Sequence, residues 1–255
     1  MKIIREKSYH TQGAVLVLGM FDGLHLGHQV LLEKGKVLSQ RSDHPLIVCT
    51  FDRHPLSLIA PEHAPKALTT LEERIALLEQ MQVDALLIQE FTRETMNTLP
   101  EEYIARLVQR FRPSDVVCGY NFTFGKNGAG TPALLTALGT ALDFRTWVVP
   151  KITLEGMEVS STAIRNELAR GNVALVARML KRPYAVTAQM EKGRLLLGGE
   201  NKQLPAPGSY RVLINGSPAL LTLDPEGGAK AAWKPRSEKS EIRFLASGHL
   251  QTKNE

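Results

Sequence analysis

The chain has 255 residues, of which 43 % are hydrophobic, enough to bury a substantial core in one large or two smaller domains. This composition argues against disorder as the overall state. The net charge of +5 comes from basic residues scattered among acidic ones, without a basic stripe interleaved with aromatics. A small anionic substrate explains this excess as well as nucleic acid would, and we predict no nucleic-acid partner.

The N-terminal residues and the cysteines indicate the compartment. The first residues lack the apolar core of a signal peptide, and no run approaches the ~20 apolar residues of a membrane span. Cys49 and Cys118 each end a predicted strand and lack the spacing of a metal-binding pair. We interpret both as reduced core residues, with a disulfide between them as the alternative. The chain is therefore expected to be soluble and cytoplasmic, with no membrane partner.

Apolar strands alternate with helical patterns along the first two thirds of the chain. The predicted strands lie near 14–19, 46–51, 84–89, 115–119 and 144–149. The predicted helices lie near 27–40, 70–81, 100–111 and 131–140. This alternation is typical of an α/β protein with a doubly wound parallel sheet, which binds ligands beyond the carboxyl ends of its strands.

The first of these strands is followed by the segment GMFDGLHLGH, which contains three glycines and two histidines. The glycines permit close backbone approach or positive φ, and His25 and His28 stand three residues apart where the next helix begins. Both rings can then face one pocket, where the helix N-terminus favours an anion. The segment matches neither a P-loop nor a dinucleotide-binding fingerprint. Two solvated histidines on a surface turn are the alternative to a phosphate site.

Two later strands end in residues that suit a planar ligand. The second strand ends in Phe51 and His54, and the fourth leads into the segment 119–130, GYNFTFGKNGAG. The aromatic rings and hydrogen-bonding groups of the 119–130 segment suit a flat ring ligand. The structural alternatives are a core position for Phe51, a loop donor at His54 and a glycine-rich loop with core aromatics.

A second set of phosphate-binding groups follows the fifth strand. Ser160, Ser161 and Thr162 place three hydroxyls at the start of a predicted helix, and Arg165 follows one turn later. The arginine can pair with phosphate oxygens, while the hydroxyls can equally serve as helix caps.

These motifs, in this order, resemble the FMN adenylyltransferase module of prokaryotic FAD synthetases, within the HxGH nucleotidyltransferase superfamily. The Phe-Asp-Gly element before the histidines is similar to that of the flavin enzymes. Further similar elements lie at 49–55, 91–104, 119–130 and 158–165. The resemblance covers approximately residues 12–184. Arg53 departs from the proline often seen in the family, and Lys181 stands in place of a glycine.

The resemblance implies a Rossmann-like enzyme that transfers AMP from ATP to FMN and forms FAD and pyrophosphate. Mg²⁺ would arrive with ATP, without a metal site in the protein. The implied catalytic residues are His25, His28 and Arg165. The implied ATP and phosphate contacts are Gly19, Phe21, Asp22, Gly23, Gly27, Ser160, Ser161 and Thr162. The implied flavin contacts are Phe51, His54, Asn121, Phe124 and Gly125. Another HxGH nucleotidyltransferase and a catalytically inactive flavin-binding module are the alternatives, and the oligomeric state is left open.

Beyond residue 184, short β-like runs at 210–214, 219–223 and 241–245 predict a small antiparallel barrel. We therefore expect a nucleotidyltransferase domain, 1–184, and a smaller β domain, 185–255. The second resembles the riboflavin kinase barrel of bifunctional FAD synthetases. Residues 193–203 lack the Pro-Thr-Ala-Asn element that binds metal and phosphate in that family. We expect a degenerate barrel without kinase activity, and an unorthodox site that combines Glu241 with Thr222 or Asn215 is the alternative.

Overall fold

The computed structural model describes residues 1–5, 9–191, 194–199, 201–225, 228–231 and 239–247. The chain divides into two compact units. Unit 1 comprises Met1–Pro65 and Leu71–Ile152, and unit 2 comprises Lys66–Thr70 and Thr153–Glu255. The chain therefore enters unit 2 briefly at residues 66–70 before it returns to unit 1. The domain boundary after residue 184, which was drawn from a resemblance in sequence, stays a prediction.

Unit 1 contains a six-stranded parallel sheet in the order β1-β4-β3-β2-β5-β6. Its strands are β1 (Lys2–Ile4), β2 (Ala14–Leu18), β3 (Leu46–Phe51), β4 (Ala85–Gln89), β5 (Pro113–Gly119) and β6 (Arg145–Val149). The chain winds from β2 through β3 to β4 on one side, and then crosses over to β5 and β6. The predicted doubly wound sheet is confirmed. The winding reverses between β2 and β5, where open α/β sheets bind ligands.

Helices α1 (Leu26–Ser42) and α3 (Leu71–Gln80) pack on one face of this sheet, and α5 (Pro100–Phe111) and α6 (Pro132–Ala141) pack on the other. The short helices α2 (Leu56–Ile59) and α4 (Arg93–Asn97) contain no buried residues. Strand β2 is buried along its whole length because alternate residues enter two separate cores. Leu16 packs with Leu107 of α5, whereas Val17 packs with Leu32 of α1. This two-sided burial explains the continuous apolar run that the sequence shows.

The two cysteines lie in the core of unit 1. Cys49 and Cys118 are both buried and unbonded in the part of the chain that the structure describes. Strand β2 separates their strands, so a disulfide is incompatible with the sheet order. Burial raises the pKa of Cys49 to about 12 and the pKa of Cys118 to about 11. The prediction of two reduced core thiols is confirmed.

Unit 2 combines a short hairpin, two helices and a closed antiparallel barrel. The hairpin and helices are β7 (Thr153–Leu154), β8 (Met157–Glu158), α7 (Ser161–Ala169) and α8 (Val173–Leu180). The barrel order is β10-β13-β12-β11-β14-β9. Its strands are β9 (Tyr184–Glu191), β10 (Arg194–Leu197), β11 (Gly208–Ile214), β12 (Ser217–Leu223), β13 (Ala229–Ala231) and β14 (Lys239–Ser247). The predicted second β barrel is confirmed.

The barrel strands show the alternation that a closed sheet requires. On β14, Ile242 and Phe244 are buried, whereas Glu241 and Arg243 face outward. The β11–β12 hairpin turns at Asn215 and Gly216, both of which have positive φ, as a two-residue hairpin loop demands. Within the described ranges, none of the helices has the length and apolar content needed to cross a membrane.

Candidate active site

His25 and His28 stack on each other at the start of α1, directly after β2. Their ring centroids lie 3.7 Å apart and the ring planes differ by 20°. His25 is the N-cap residue of α1, and its Nδ1 accepts a hydrogen bond from the backbone N–H of His28 at 3.4 Å. The first turn of α1, which the structure describes in full, contains no acidic side chain. The positive end of this helix therefore suits an anion.

Burial disfavours the charged form of His28. Its Nδ1 is buried and has no hydrogen-bond partner among the described residues. Burial lowers the pKa of His28 well below its usual value of 6.5, and the charges of His25 and Arg74 lower that pKa further. A neutral imidazole carries one N–H donor, which suits a phosphate oxygen.

The loop between β2 and α1 has a backbone that favours glycine. The φ angles are 53° at Phe21, 80° at Gly23 and 43° at Leu24. Phe21 is fully buried, and its ring lies 5.2 Å from the ring of His28. A Cβ at Gly19 would lie only 3.1 Å from the Phe21 ring. The buried phenylalanine thus supports the histidine pair, and Gly19 leaves room for it.

Arg74 on α3 joins the loops that follow β2 and β3. Its Nη1 lies 2.9 Å from the carbonyl oxygens of Met20 and Phe51 and 3.0 Å from the hydroxyl of Thr50. The side chain is 5 % exposed, and Asp22, which is also buried, is its strongest acidic neighbour. We did not single out this arginine from the sequence. Its position in the apolar stripe of α3, three residues after Leu71, was the available signal.

Aromatic rings form a cluster in unit 1. Phe51 meets Phe91 edge to face at 5.2 Å, and Phe124 lies 5.6 Å from Phe122 and 6.1 Å from Tyr103. Phe124 is only 6 % exposed and belongs to the hydrophobic core, whereas Phe51 and Phe122 are half-buried. The burial of Phe124 makes it a support for the neighbouring rings, and its direct contact with flavin stays a prediction.

His54 and Asp52 shape the loop after β3. The Nδ1 of His54 accepts a hydrogen bond from the backbone N–H of Leu56 at 3.2 Å, at the start of the short helix α2. The carboxylate of Asp52 accepts hydrogen bonds from the backbone N–H groups of Arg53 and Phe91, both at 2.9 Å. His54 therefore acts as a loop acceptor, and a contact with flavin stays a prediction.

The segment after β5 is a tightly closed loop. Phe124 and Gly130 exchange two backbone hydrogen bonds, of 3.2 and 2.8 Å. Gly125 has φ 70°, and a Cβ there would lie 2.7 Å from the backbone of Pro100. Asn121 is exposed and lies two residues after the end of β5. Strands β3, β2 and β5 are parallel neighbours, so their carboxyl ends lie at the same edge of the sheet. Phe51, the histidine pair and Asn121 are all located at that edge.

The second predicted phosphate segment belongs to unit 2. The Oγ of Ser160 accepts a hydrogen bond from the backbone N–H of Ala163 at 3.2 Å, so this hydroxyl caps α7. Ser161 is half-buried and Thr162 is exposed in the first turn of the same helix. The Nε of Arg165 donates a hydrogen bond to the carbonyl of Lys66 at 2.7 Å. The capping alternative thus holds for Ser160, and the phosphate roles of this segment stay predictions.

Glu241 lies on the outer face of the barrel. Its Oε2 accepts a hydrogen bond from the Nε of Arg243 at 2.7 Å, and its backbone N–H donates to the side-chain oxygen of Asn215 at 2.9 Å. Thr222 instead contacts Ser209 at the start of β11. Ser209 and Asn215 stand six residues apart, near opposite ends of β11, which corresponds to on the order of 20 Å. Glu241 and Asn215 therefore adjoin, and Thr222 lies apart from them. Residues 193 and 200, within the stretch 193–203 that lacks the Pro-Thr-Ala-Asn element, lie outside the described residues.

The fold and the site together define a Rossmann-like α/β unit with a stacked histidine pair at the switch point of its sheet, joined in one chain to a small β barrel. Across the described ranges, no group of three or more His, Cys, Asp or Glu side chains has the arrangement of a metal site.

The family model described as FAD synthetase matches residues 7–163. The chain is 32 % identical over 202 residues to the FAD synthetase of Listeria monocytogenes, covering 79 % of this chain and 81 % of the relative. It is 32 % identical over 198 residues to the bifunctional riboflavin kinase/FMN adenylyltransferase of Escherichia coli K12, covering 76 % of this chain. The chain belongs to the FAD synthetase family. It spans about 63 % of the length of that E. coli relative.

A solved structure shares the whole fold. A Streptococcus pneumoniae chain, described as a macrolide-efflux protein, superimposes with a TM-score of 0.84 over 99 % of this chain and 93 % of its own length. The two sequences are 22 % identical. At this identity the likeness shows the fold alone.

Proposed function

We propose that this chain is an FMN adenylyltransferase, which transfers AMP from MgATP to FMN and forms FAD and pyrophosphate. The observation that carries the proposal is the stacked His25–His28 pair at the N-terminus of α1, in a chain of the FAD synthetase family. A neutral imidazole and an uncompensated helix N-terminus are suited to phosphate oxygens. Two of the relatives compared above are named for FAD synthesis or FMN adenylylation.

The proposed reaction needs no strong general base. An oxygen of the FMN phosphate attacks the α-phosphorus of ATP in line, the new P–O bond forms, and the bond from the α-phosphorus to the bridging oxygen breaks. Pyrophosphate leaves with the bonding electron pair. Because a phosphate monoester has a second pKa of ~6, FMN is already largely dianionic at neutral pH. The protein then has to orient the two substrates and neutralise charge.

Each group has a proposed task in this reaction. His28, with His25 stacked on it, donates to oxygens of the ATP phosphates, and Arg165 binds phosphate oxygens through its guanidinium. Asn121 hydrogen-bonds a substrate ring, and Phe51 offers it a half-buried apolar face. Mg²⁺ comes as part of the substrate, bound to the triphosphate. The free, buried cysteines support a reducing, cytoplasmic setting, and we propose no nucleic-acid partner.

We also propose that the barrel has no riboflavin kinase activity. Phosphorylation of an alcohol needs an activated nucleophile and a metal-bound γ-phosphate. The only acid considered as the base, Glu241, is on the outer face of the barrel and is paired with Arg243. Lys202 lies within residues 193–203, the stretch in which the kinase family has its metal and phosphate ligands. It is buried and donates a hydrogen bond to a backbone carbonyl.

The decisive test is an incubation of the purified chain with FMN, ATP and Mg²⁺, followed by chromatography for FAD and an assay for pyrophosphate. We expect FAD and pyrophosphate in equal amounts. Flavin that co-purifies or binds without turnover would replace this proposal with a binding module. Formation of a different nucleotide product, with CTP or another phosphate acceptor, would indicate another nucleotidyltransferase.

A further inference from the structure

A short segment of unit 2, residues 66–68, is bonded to the loop that precedes β11. The backbone N–H of Ala67 donates to the carbonyl of Asn201 at 2.7 Å, and the N–H of Gln203 donates to the carbonyl of Ala67 at 2.9 Å. The 66–68 segment and residues 201–203 thus form a small parallel bridge. These contacts join residues more than a hundred positions apart and fix the 66–68 segment to the loop before barrel strand β11.

Lys202 reinforces this bridge from a buried position. Its Nζ donates a hydrogen bond to the carbonyl of Leu68 at 2.8 Å, and the side chain is only 3 % exposed. The ammonium also lies 5.4 Å from the ring centroid of Tyr184, the first residue of β9. The hydroxyl of Tyr184 donates to the carbonyl of Gln203 at 2.6 Å. A lysine is rarely buried without a specific partner, and here a backbone carbonyl provides one.

The same 66–68 segment holds Arg165 on α7. The Nε of Arg165 donates to the carbonyl of Lys66 at 2.7 Å. The barrel, the 66–68 segment and Arg165 are therefore joined by consecutive hydrogen bonds. Displacing the segment would rotate the planar guanidinium, and a bidentate contact with phosphate depends on that orientation.

We propose that Lys202 is a positioning residue, which fixes the 66–68 segment and through it orients the Arg165 guanidinium for nucleotide phosphate. This inference rests on the proposed function, and it gives the barrel a role that does not require kinase chemistry. Lys202 acts through Arg165 and does not itself contact the substrate.

The first test is a double-mutant cycle on kcat/KM for ATP. Lys202→Met should lower this constant about tenfold, because partners in one hydrogen-bond network couple strongly. The same substitution should have almost no effect in an Arg165→Met background. Lys230→Met, on the exposed face of barrel strand β13, is the matched control and should leave the constant unchanged. An equal loss in both backgrounds would overturn the proposal.

A glycine pair provides a second route if Lys202→Met does not fold. A Cβ at Gly198 would lie 2.5 Å from the Cγ of Lys202, whereas a Cβ at Gly199 would meet nothing within 4 Å. The two glycines have similar φ, 67° and 73°, so both alanine variants carry the same backbone strain. Gly198→Ala should lower kcat/KM for ATP and Gly199→Ala should not. Equal effects of the two variants would contradict the role of Lys202.

An NMR measurement on the free protein tests the positioning role of Lys202 independently of the proposed function. The ¹⁵Nε–H signal of Arg165, identified by its loss in Arg165→Lys, reports the hydrogen bond to Lys66 in the free protein. Lys202→Met should shift this signal and speed its exchange with water, and Lys230→Met should not. A wild-type chain that forms no FAD would refute the proposed function alone. An Arg165 signal unmoved by Lys202→Met would refute the positioning role, whatever the activity.

Discussion

At the scale of single residues, sequence patterns located the histidines but not the groups that support them. The spacing of His25 and His28 after a buried strand predicted two rings at one helix start, and they do stack there. Arg74 and Lys202 escaped notice because each partners backbone carbonyls from distant segments, and such contacts have no local pattern. Phe124 reads in sequence as an available ring, and its burial follows only from tertiary packing.

Replacing His28 should reduce turnover much more than stability. In His28→Ala the phosphate loses one preorganised donor, a change that typically costs ~10²–10³ in kcat. The rate of FAD formation at saturating FMN and ATP measures the effect. His63→Ala removes an exposed histidine of the same unit and serves as the control. Wild-type turnover in His28→Ala would remove His28 from the proposed mechanism.

The lowered pKa of His28 predicts a pH dependence of stability. In the unfolded chain this histidine titrates near 6.5, and in the folded chain it resists protonation to a lower pH. Between those two pKa values the unfolded state binds more protons than the folded state. The contribution of His28 to the free energy of unfolding is therefore lost as the pH falls below about 6.5. Denaturant unfolding at a series of pH values should show a shallower acid loss for His28→Gln than for the wild type. Parallel curves would contradict a lowered pKa at His28.

At the scale of elements, the alternation of apolar strands and helices located five strands of the parallel sheet within a few residues. The sequence analysis missed β1, because Lys2–Ile4 is only three residues long and two of them are exposed. It also missed the short helices α2 and α4, which arise from local capping by groups such as Thr92. Short elements depend on neighbours and single caps, and periodicity cannot reveal them.

The loop of residues 119–130 gives an element-scale prediction about packing. Gly125→Ala forces a Cβ to within 2.7 Å of the Pro100 backbone, whereas Gly128→Ala, at nearly the same φ, places one 3.4 Å from a threonine hydroxyl. The shared backbone strain should cost about 1 kcal/mol, and the clash at Gly125 a further ~1–3 kcal/mol. Gly125→Ala should therefore lower the melting temperature clearly more than Gly128→Ala does. Equal melting temperatures would mean that Pro100 moves away without cost.

At the scale of the whole molecule, the order of motifs along the chain predicted both fold classes, a doubly wound sheet and a small barrel. The brief passage of residues 66–70 into the second compact unit was beyond prediction. These five residues carry no strand pattern of their own, and they are placed by partners near positions 165 and 202. Sequence periodicity reveals regular helices and strands. The long-range pairing of an irregular segment produces no periodic pattern in the sequence.

The whole chain should convert FMN to FAD but leave riboflavin unphosphorylated. The ribityl hydroxyl is a far weaker nucleophile than a phosphate dianion, so it needs a base directed at it and a metal-bound γ-phosphate. Glu241, the candidate base that the sequence suggested, faces outward on β14 and is paired with Arg243.

Incubation of the full chain with riboflavin, ATP and Mg²⁺ should therefore give no FMN above an enzyme-free control, while a parallel reaction with FMN gives FAD. The Glu241→Gln variant should behave like the wild type in both reactions. It keeps a hydrogen-bond acceptor for Arg243 and removes only an exposed charge, which contributes little to stability. Steady FMN formation that disappears in Glu241→Gln would show instead that the outer face of the barrel holds a working kinase site.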